Sequence, residues 1–245
     1  MIKHFTKNIL TDITYFSIAF FTFLALDIFV KLQLDAMPYR YISKSILLLL
    51  LILYFLKNHK EKSKKHLRFM IIALMCFLAG DWLLINTKNT TLFTSGILFF
   101  ILGKLFYVLR FSHQRDFKLS RLIPFLIICF LFIAGLMNLI YDNLHQLFIP
   151  VMIYFFTSVI LLQFAFLRKA DVNKMSYLVV FIGTVLCIVS DSITALKIFY
   201  LPNFAYEKIT IMLFYGIGQY LIVYGITKEV KQPEDDLLMS SAEYL

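Results

Sequence analysis

The chain has 245 residues, of which 60% are hydrophobic and only 16% are charged. An average soluble domain is closer to half apolar and a quarter charged, so this composition excludes an ordinary water-soluble protein. The formal charge of +9 does not indicate a nucleic-acid partner, because the basic residues gather at the ends of apolar blocks.

The apolar residues fall in blocks of roughly twenty, the length that an α-helix needs to cross the hydrocarbon core of a bilayer. A spanning β-barrel would instead alternate polar and apolar positions over about ten residues. The sequence therefore predicts an all-α fold, a polytopic bundle of about eight transmembrane helices. The predicted spans are 14–34, 42–56, 68–85, 92–111, 122–141, 144–167, 177–200 and 209–227.

Individual spans differ in their flanks and lengths. The first follows a short mixed segment without a small-residue cleavage site, so we predict a retained helix and not a signal peptide. The second is short and must either borrow residues 39–41 or thin the bilayer locally to cross it. Pro150 falls inside the sixth span and is predicted to kink it.

Short connections predict that consecutive helices are antiparallel neighbours in one bundle. We therefore predict a single transmembrane helical domain over residues 1–230. The acidic segment 231–245 has no helical periodicity and is predicted to be a disordered cytoplasmic tail.

Lys and Arg near the ends of spans are retained on the cytoplasmic side of a membrane. Seventeen basic residues fall on the side of both termini, three fall on the opposite side and four lie within spans. This asymmetry predicts cytoplasmic N- and C-termini, in a bacterial cytoplasmic (inner) membrane. The densest basic run, residues 57–68, is interpreted as a topology signal, with binding of anionic lipid headgroups as the alternative.

The three cysteines, Cys76, Cys129 and Cys187, lie inside apolar spans and are odd in number. They lack metal-ligand spacing, so a disulfide framework is not expected. No metal is expected because no His-rich cluster lies in the spans, with a divalent ion held by two aspartates as the alternative. No cofactor is expected either, and the sequence leaves the oligomeric state open.

Ionisable side chains inside the spans are the strongest functional signal, because a charge at bilayer depth costs at least about 2.5–3.5 kcal/mol. At 1.5 Å per residue, Asp27, Asp81 and Asp191 each lie about 20 Å from the cytoplasmic start of their spans. We expect them to form one layer just outside the midplane. Further polar side chains within the spans include Lys31, Lys44, Lys104, Lys197 and Gln219.

The surroundings of this layer predict a shared polar pocket. Tyr215 and Gln219 are four residues apart, so they share one face of the eighth helix. Lys104 and Tyr107 are three apart and share a face of the fourth. The candidate binding residues are Lys44, Lys104, Tyr107, Tyr215, Gln219, Ser190, Ser192 and Asp27.

Several of these positions also have a purely structural interpretation. Asp27 and Lys31 are spaced i to i+4, so they either neutralise each other on one helix face or contribute to the pocket. Lys197 lies near the outer end of its span and is expected to snorkel to the interface. Asp81 and Asp191 have no same-helix partner, and for them a functional role is favoured.

Short motifs recur at the polar positions of five spans: Ala79-Gly80-Asp81, Gly103-Lys104-Leu105-Phe106-Tyr107, Pro150-Val151 with Tyr154, Val189-Ser190-Asp191-Ser192 with Ala195, and Phe214-Tyr215 with Gln219. In this order and spacing they resemble the YhhN family of membrane proteins, whose characterised members are lysoplasmalogenases. The resemblance extends over roughly residues 39–225. Two positions depart from the family pattern: Gly103-Lys104 stands where a Gly-His pair is usual, and Lys44-Ser45 where Lys-Pro is usual.

The resemblance implies a membrane-embedded lipid hydrolase that cleaves the vinyl ether bond of a lysoplasmalogen to a fatty aldehyde and glycerophosphoethanolamine or glycerophosphocholine. Protonation of the β-carbon of that bond gives an oxocarbenium-like cation that water attacks, a demand similar to two-carboxyl glycoside hydrolysis. We expect Asp81 to be the proton donor. Asp191, hydrogen-bonded to Ser190 and Ser192, is expected to be the ionised partner, with the reverse assignment open.

The remaining candidates would hold the substrate. Lys44 or Lys104 is expected to attract its phosphate, while Tyr107, Tyr215 and Gln219 hold glycerol and water. The expected partners are a lysolipid and the bilayer, with no nucleic acid. The alternative function is a small-molecule or proton-coupled transporter, which discontinuous helices or an inverted repeat would favour.

Overall fold

The computed structural model describes residues 10–34, 36–61, 63–85, 89–112, 119–201 and 206–230, and this part of the chain contains helices and no β-strand. The predicted all-α class is therefore confirmed. The predicted tail, residues 231–245, lies outside the described residues. The helices are α1 Ile13–Gln33, α2 Tyr41–Asn58, α3 Lys64–Leu83, α4 Thr90–Phe111, α5 Leu119–Leu144, α6 Phe148–Leu167, α7 Lys174–Phe199 and α8 Glu207–Thr227.

Seven helical stretches of the described residues are long and apolar enough to cross a membrane, and the longest, Leu122–Leu167, has 46 residues. A straight helix of that length would measure roughly 70 Å, about twice the hydrocarbon thickness. The stretch is broken at His145, which has a positive φ of 45°. The rings of Phe125 and Phe166 stack with centroids 4.5 Å apart. The chain therefore reverses at His145, and α5 and α6 form a hairpin that brings the number of crossings to eight.

The structure agrees with one local prediction and corrects another. A π-helical turn, Ala36–Arg40, precedes α2, and the apolar stretch that can span begins at Pro38. This is the extension that the short second span requires. Pro150, in contrast, is the third residue of α6. A proline in the first turn of a helix removes no intrahelical hydrogen bond, so the predicted kink at Pro150 was wrong.

Seven of the helices close a ring in the order α1, α2, α3, α4, α6, α7, α8, with α8 packed back on α1. The eighth helix, α5, packs on α6 and α7 outside this ring. Most consecutive helices are neighbours as predicted, but α4 is followed around the ring by α6. Residues 122–141 of α5 contain no charged side chain, and large apolar side chains such as Ile128 and Phe130 are exposed. This helix therefore suits a lipid-facing position.

Helices α7 and α8 pack backbone against backbone at Gly183 and Gly218. A Cβ atom on Gly183 would lie 2.8 Å from the carbonyl oxygen of Gly218, and one on Gly218 would lie 2.6 Å from Sγ of Cys187. Only residues without a side chain allow the two backbones to pack at this distance. These glycines hold α7 and α8 in the register that the interior requires.

The end of the bundle that contains both described chain ends is joined by a cluster of buried ions. Arg110, at the end of α4, and Arg168, just after α6, contact Oε2 of Glu229 at 3.0 and 2.8 Å. Arg110 also pairs with Glu61, and Arg168 donates a hydrogen bond to Ser176 of α7 at 3.1 Å. Both arginines are almost fully buried. Two basic residues that were counted only as topology signals therefore connect helix ends.

Glu229 is the acid that these two arginines share. Burial raises the pKa of its carboxyl, but attraction by Arg110 and Arg168 outweighs burial and holds the pKa below the usual 4.5. Burial lowers the pKa of Arg168 to about 10, so this guanidinium stays charged at neutral pH. Because the folded-state pKa of Glu229 is depressed, its stabilising effect is complete above the unfolded value and is lost as pH falls through the folded value.

The substitution Gly183→Ala is expected to lower the free energy of unfolding by about 1–3 kcal/mol, because the new methyl group meets backbone that must shift. Gly135→Ala is the matched control, since a Cβ there meets nothing within 4 Å. Alanine is the better helix former by up to about 1 kcal/mol, so the control should be neutral or stabilised. Thermal unfolding of the purified variants in one detergent tests this; a Gly183→Ala variant as stable as Gly135→Ala would refute the close contact.

Replacing Glu229 with Gln should destabilise the protein by about 3 kcal/mol at pH 7, because it leaves buried guanidinium charge uncompensated. The difference from the native protein should shrink as pH falls below 4.5, where the native carboxyl itself becomes protonated. Melting temperatures at several pH values measure both effects. Asp142→Asn, at an exposed position of α5, is the control; a Glu229→Gln deficit that does not depend on pH would contradict the assignment.

Candidate functional site

Asp81, in the last turn of α3, accepts hydrogen bonds on both carboxylate oxygens. Nζ of Lys44 lies 2.6 Å from Oδ1 and forms an ion pair with it. The hydroxyl of Tyr215 donates to Oδ2 at 3.0 Å. The carboxylate, nearly inaccessible to solvent, is thus held by one cation from α2 and one phenol from α8.

Asp191, on α7, has a similar set of partners from other helices. Nζ of Lys104 lies 2.8 Å from Oδ2, and the side chain of Tyr154 interacts with the same carboxylate. Lys104 also donates to Oγ of Ser158 at 2.6 Å and lies 3.4 Å from the centroid of the Tyr154 ring. Each aspartate is therefore held by one lysine and one tyrosine.

Both aspartates line one cavity of about 540 Å³, which we call the ring cavity. All seven helices of the ring contribute to its wall, and α5 does not. Its volume is within the range of pockets that bind small molecules, about 300–1,000 Å³. Its polar lining residues are Lys31, Arg40, Lys44, Asp81, Tyr154, Ser190, Asp191, Thr194, Lys197 and Tyr215.

The ring cavity has one polar and one apolar side. Lys31, Arg40 and Lys44 come from α1, the π-helical turn and α2, whereas the lining residues of α4 and α6 are mostly apolar. Helix α7 contributes both kinds, with Asp191 and Lys197 beside apolar residues. The lining residues lie near the ends of α1, α3 and α7 and the starts of α4 and α8, so the cavity occupies the half of the bundle away from the described chain ends. The apolar lining residues include Phe93, Ile97, Phe100, Val151, Phe155, Ile198 and Phe199.

The predicted common depth of the aspartates agrees with the helix bounds. Asp27, Asp81 and Asp191 lie 14, 17 and 17 residues beyond the first residues of α1, α3 and α7. These separations correspond to about 21–26 Å along the helix axes. Asp27 nevertheless does not line the ring cavity, although its partner Arg40 does.

The contacts of Asp27 correct the idea that it neutralises Lys31. Oδ1 of Asp27 accepts hydrogen bonds from Arg40 at 2.8 Å and from Ser43 at 2.5 Å. Lys31 instead donates to the backbone carbonyl of Lys208 at 2.9 Å. Lys197, which was expected to snorkel, pairs with Glu207 at 2.8 Å.

Other predicted site residues are buried beside the ring cavity. The hydroxyl of Tyr107 donates to Oε1 of Gln219 at 2.8 Å, and neither residue lines the ring cavity. Gln219 lines a small void of about 10 Å³ that also touches Asp81. The Tyr107–Gln219 hydrogen bond therefore joins α4 to α8 beside the ring cavity.

The two serines do not hydrogen-bond Asp191, contrary to expectation. Oγ of Ser190 donates to the carbonyl of Ile211, and Oγ of Ser192 donates to the carbonyl of Ile188, both at 2.8 Å. On a helix, a serine next to an aspartate in sequence points away from it, so adjacency was a poor guide.

Sequence reasoning missed the contributions of Arg40, Ser43, Tyr154 and Ser158. Arg40 was counted among the outer basic residues, although it is only 8% exposed. Tyr154 was noticed only as part of a motif. Its spacing of four from Ser158 on a helix is the signal that would have placed both on one face.

The arrangement provides proton-transfer groups next to an apolar chamber. The carboxylate–lysine distances of 2.6 and 2.8 Å lie in the range in which a proton passes between heavy atoms. No group of three or more His, Cys, Asp or Glu that could hold a metal ion occurs among the described residues. The groups that meet at the two aspartates are two carboxyls, two ammonium groups and two phenols.

No curated protein and no solved structure matches the chain significantly. The model of one protein family does match, over residues 39–226, and that range includes every helix of the ring except α1. Because the match covers more than three quarters of the sequence, the chain belongs to the YhhN family.

Proposed function

We propose that this protein is a membrane-embedded hydrolase that cleaves the vinyl ether bond of a lysoplasmalogen. The products are a fatty aldehyde and glycerophosphoethanolamine or glycerophosphocholine. The observation that carries the proposal is the convergence of Asp81 and Asp191, from distant parts of the sequence, on one cavity with an apolar wall. Membership of the YhhN family is consistent with it.

The ring cavity matches the form of a single-chain lipid. The hydrocarbon chain fits the wall from α4, α6 and α7, while the glycerol and headgroup fit the side that carries Lys31, Arg40 and Lys44. In this pose the vinyl ether, which lies between chain and glycerol, is next to the two carboxyls. Excluding bulk water from the chain side strengthens every electrostatic contact in the chamber.

Cleavage begins when a carboxyl proton is transferred to the β-carbon of the vinyl ether, which forms a C–H bond and breaks the C=C double bond. The resulting oxocarbenium-like cation is stabilised by the other carboxylate, which also removes a proton from the attacking water. The hemiacetal then separates into the aldehyde and the glycerol alcohol. One water is consumed. The carboxyl that took a proton from this water then returns a proton to the carboxylate that donated one to the β-carbon.

The two roles, proton donor and carboxylate that activates water, are assigned to Asp81 and Asp191 as a pair. The serines that were expected to keep Asp191 ionised do not contact it, so that basis for the assignment is lost. Each aspartate has a lysine within hydrogen-bond distance, and these lysines replenish or accept the transferred proton. Lys104 takes the place of the histidine that is usual in the family and supplies a proton carrier there.

The transporter alternative receives no support from helix geometry. Transport proteins with intramembrane sites commonly have helices broken at mid-membrane. Here the π-helical turn Ala36–Arg40 and the 3₁₀ turn His145–Leu147 lie at helix ends, and each helix of the ring is continuous within its described bounds.

We further propose that both chain ends face the cytoplasm of a bacterium and that the ring cavity opens toward the outer face of its inner membrane. The asymmetry of basic residues supports this orientation.

Asp81→Asn and Asp191→Asn should each lower aldehyde release from lysoplasmalogen by about 10²–10⁴-fold, the usual contribution of a positioned acid or base. Aldehyde and fatty acid are measured separately with the purified protein. Asp142→Asn removes an exposed carboxylate and should keep full activity. Near-normal aldehyde release by either aspartate variant would overturn the mechanism.

Each single Asn variant leaves a buried lysine without its paired acid, which destabilises the bundle. A charge-balanced double substitution is therefore made beside the single variants. Lys104→Gln combined with Asp191→Asn removes both charges and should elute as folded protein on size exclusion. It should remain inactive. The matching 1-acyl lysolipid is assayed beside lysoplasmalogen. If the native protein releases fatty acid from the acyl lipid and no aldehyde from lysoplasmalogen, it is an esterase.

The orientation is tested with single cysteines and a membrane-impermeant maleimide on intact cells. Tyr206→Cys, at a highly exposed position beside the start of α8, should be labelled. Lys57→Cys, exposed at the end of α2, should be labelled only after lysis. The opposite pattern would reverse the orientation.

A further inference from the structure

The ring cavity and the groups paired with its lining carry one more cation than acid among the described residues. Four carboxylates each have one basic partner within 2.8 Å: the pairs are Asp27–Arg40, Asp81–Lys44, Asp191–Lys104 and Glu207–Lys197. Lys31 is the fifth cation, and its Nζ contacts a neutral acceptor, the carbonyl of Lys208. The described residues of the site therefore hold one positive charge in excess.

This excess charge lies beside other cations. Lys31 lines the ring cavity together with Arg40, Lys44 and Lys197, and the repulsion from these three cations is opposed by attraction from Asp27. In a region of low dielectric, such repulsion is relieved by an anion. The part of the cavity nearest Lys31 therefore favours a negatively charged ligand group.

Arg40 has donor capacity that its present partners use poorly. Nη1 donates to the carboxylate and the carbonyl of Asp27 at 2.8 and 3.1 Å. Among the described residues, the hydrogen-bond partner of Nη2 is Sδ of Met212, at 3.0 Å, and a thioether is a weak acceptor. A hydrogen bond from Nη2 to a charged oxygen is stronger than one to a thioether, so an anionic ligand can replace Met212 as the partner of Nη2.

We propose that Lys31 and Arg40 form a subsite for the phosphate group of the substrate at the polar side of the ring cavity. The inference rests on the proposed function and names the part of the substrate that this site recognises. It replaces the expectation that Lys44 or Lys104 attracts the phosphate, because both are held by the aspartates. One phosphodiester carries one negative charge, which matches the single excess cation.

The subsite also orders the substrate along the cavity. The phosphate lies between Lys31 and Arg40, the glycerol is next to Lys44 and Asp81, and the vinyl ether and chain follow toward Asp191 and the apolar wall. The site therefore discriminates lysolipids that carry a phosphate from uncharged glycerol ethers and esters with the same chain.

Binding tests this without any turnover, so the result is independent of whether the protein hydrolyses vinyl ethers. The full chain in nanodiscs is titrated with 1-palmitoyl lysophosphatidylethanolamine, with 1-palmitoyl glycerol and with inorganic phosphate. The native protein should bind the phosphate-bearing lipid about tenfold more tightly than the glyceride, as expected for a charge-assisted contact. Inorganic phosphate alone should not compete.

Lys31→Gln should abolish this preference, and Lys31→Arg, which keeps the charge, should restore it. Lys208→Gln is the matched control, because it removes an exposed lysine at the same end of the bundle that does not line the cavity. Its carbonyl, the present partner of Lys31, is retained.

An unchanged preference in Lys31→Gln, or equal binding of both lipids by the native protein, would overturn the subsite. Displacement of the lysolipid by inorganic phosphate would reassign the site to a free anion. If binding shows the preference but no aldehyde is released, the subsite stands and the proposed reaction fails.

Discussion

A carboxylate at membrane depth must be matched by a cation, and in this protein that requirement decides which helices meet. Inserting one charge costs at least about 2.5–3.5 kcal/mol, and an unpaired buried charge is more costly still. Asp81 binds a lysine of α2, and Asp191 binds a lysine of α4. Each pair crosses the interior, so the partners must face inward together and the helices that carry them must surround a common space.

The closed ring follows from these inward-facing pairs. Every helix of the ring contributes a side chain to the cavity, whereas α5, without a charge in its middle, packs outside on α6 and α7. Where the helices need not enclose polar groups they pack tightly, as at Gly183 and Gly218. The other end of the bundle is joined by the arginines that share Glu229. Two regions outside the cavity thus stabilise the bundle: the glycine contact between α7 and α8, and the buried ion cluster around Glu229.

An amphiphilic chamber is the functional consequence of this arrangement. Charged residues of α1, α2 and α3 line one side of the cavity, and apolar residues of α4, α6 and α7 line the other, where α7 also carries Asp191. A lysolipid has the same division between head and chain. The proposed reaction uses the boundary between these two regions, where a carboxyl meets a carbon atom of the lipid.

The sequence by itself predicted the helical class, about eight helices of membrane-spanning length and similar positions of the three aspartates along their helices. Segment length against bilayer thickness and the 1.5 Å rise of a helix are properties of single segments, so no tertiary information was needed. The same reasoning singled out Asp81 and Asp191, because an isolated charge in an apolar helix stands out by its cost.

The tertiary structure alone decided the partners. Spacing within one helix suggested that Asp27 pairs with Lys31 and that serines pair with Asp191, but Arg40 and Lys104 approach from other helices. It likewise decided that α6 follows α4 around the ring and that Lys31 keeps no acid of its own. Pairing between helices depends on how each is rotated and which neighbours it meets, and the packing of the whole bundle sets both.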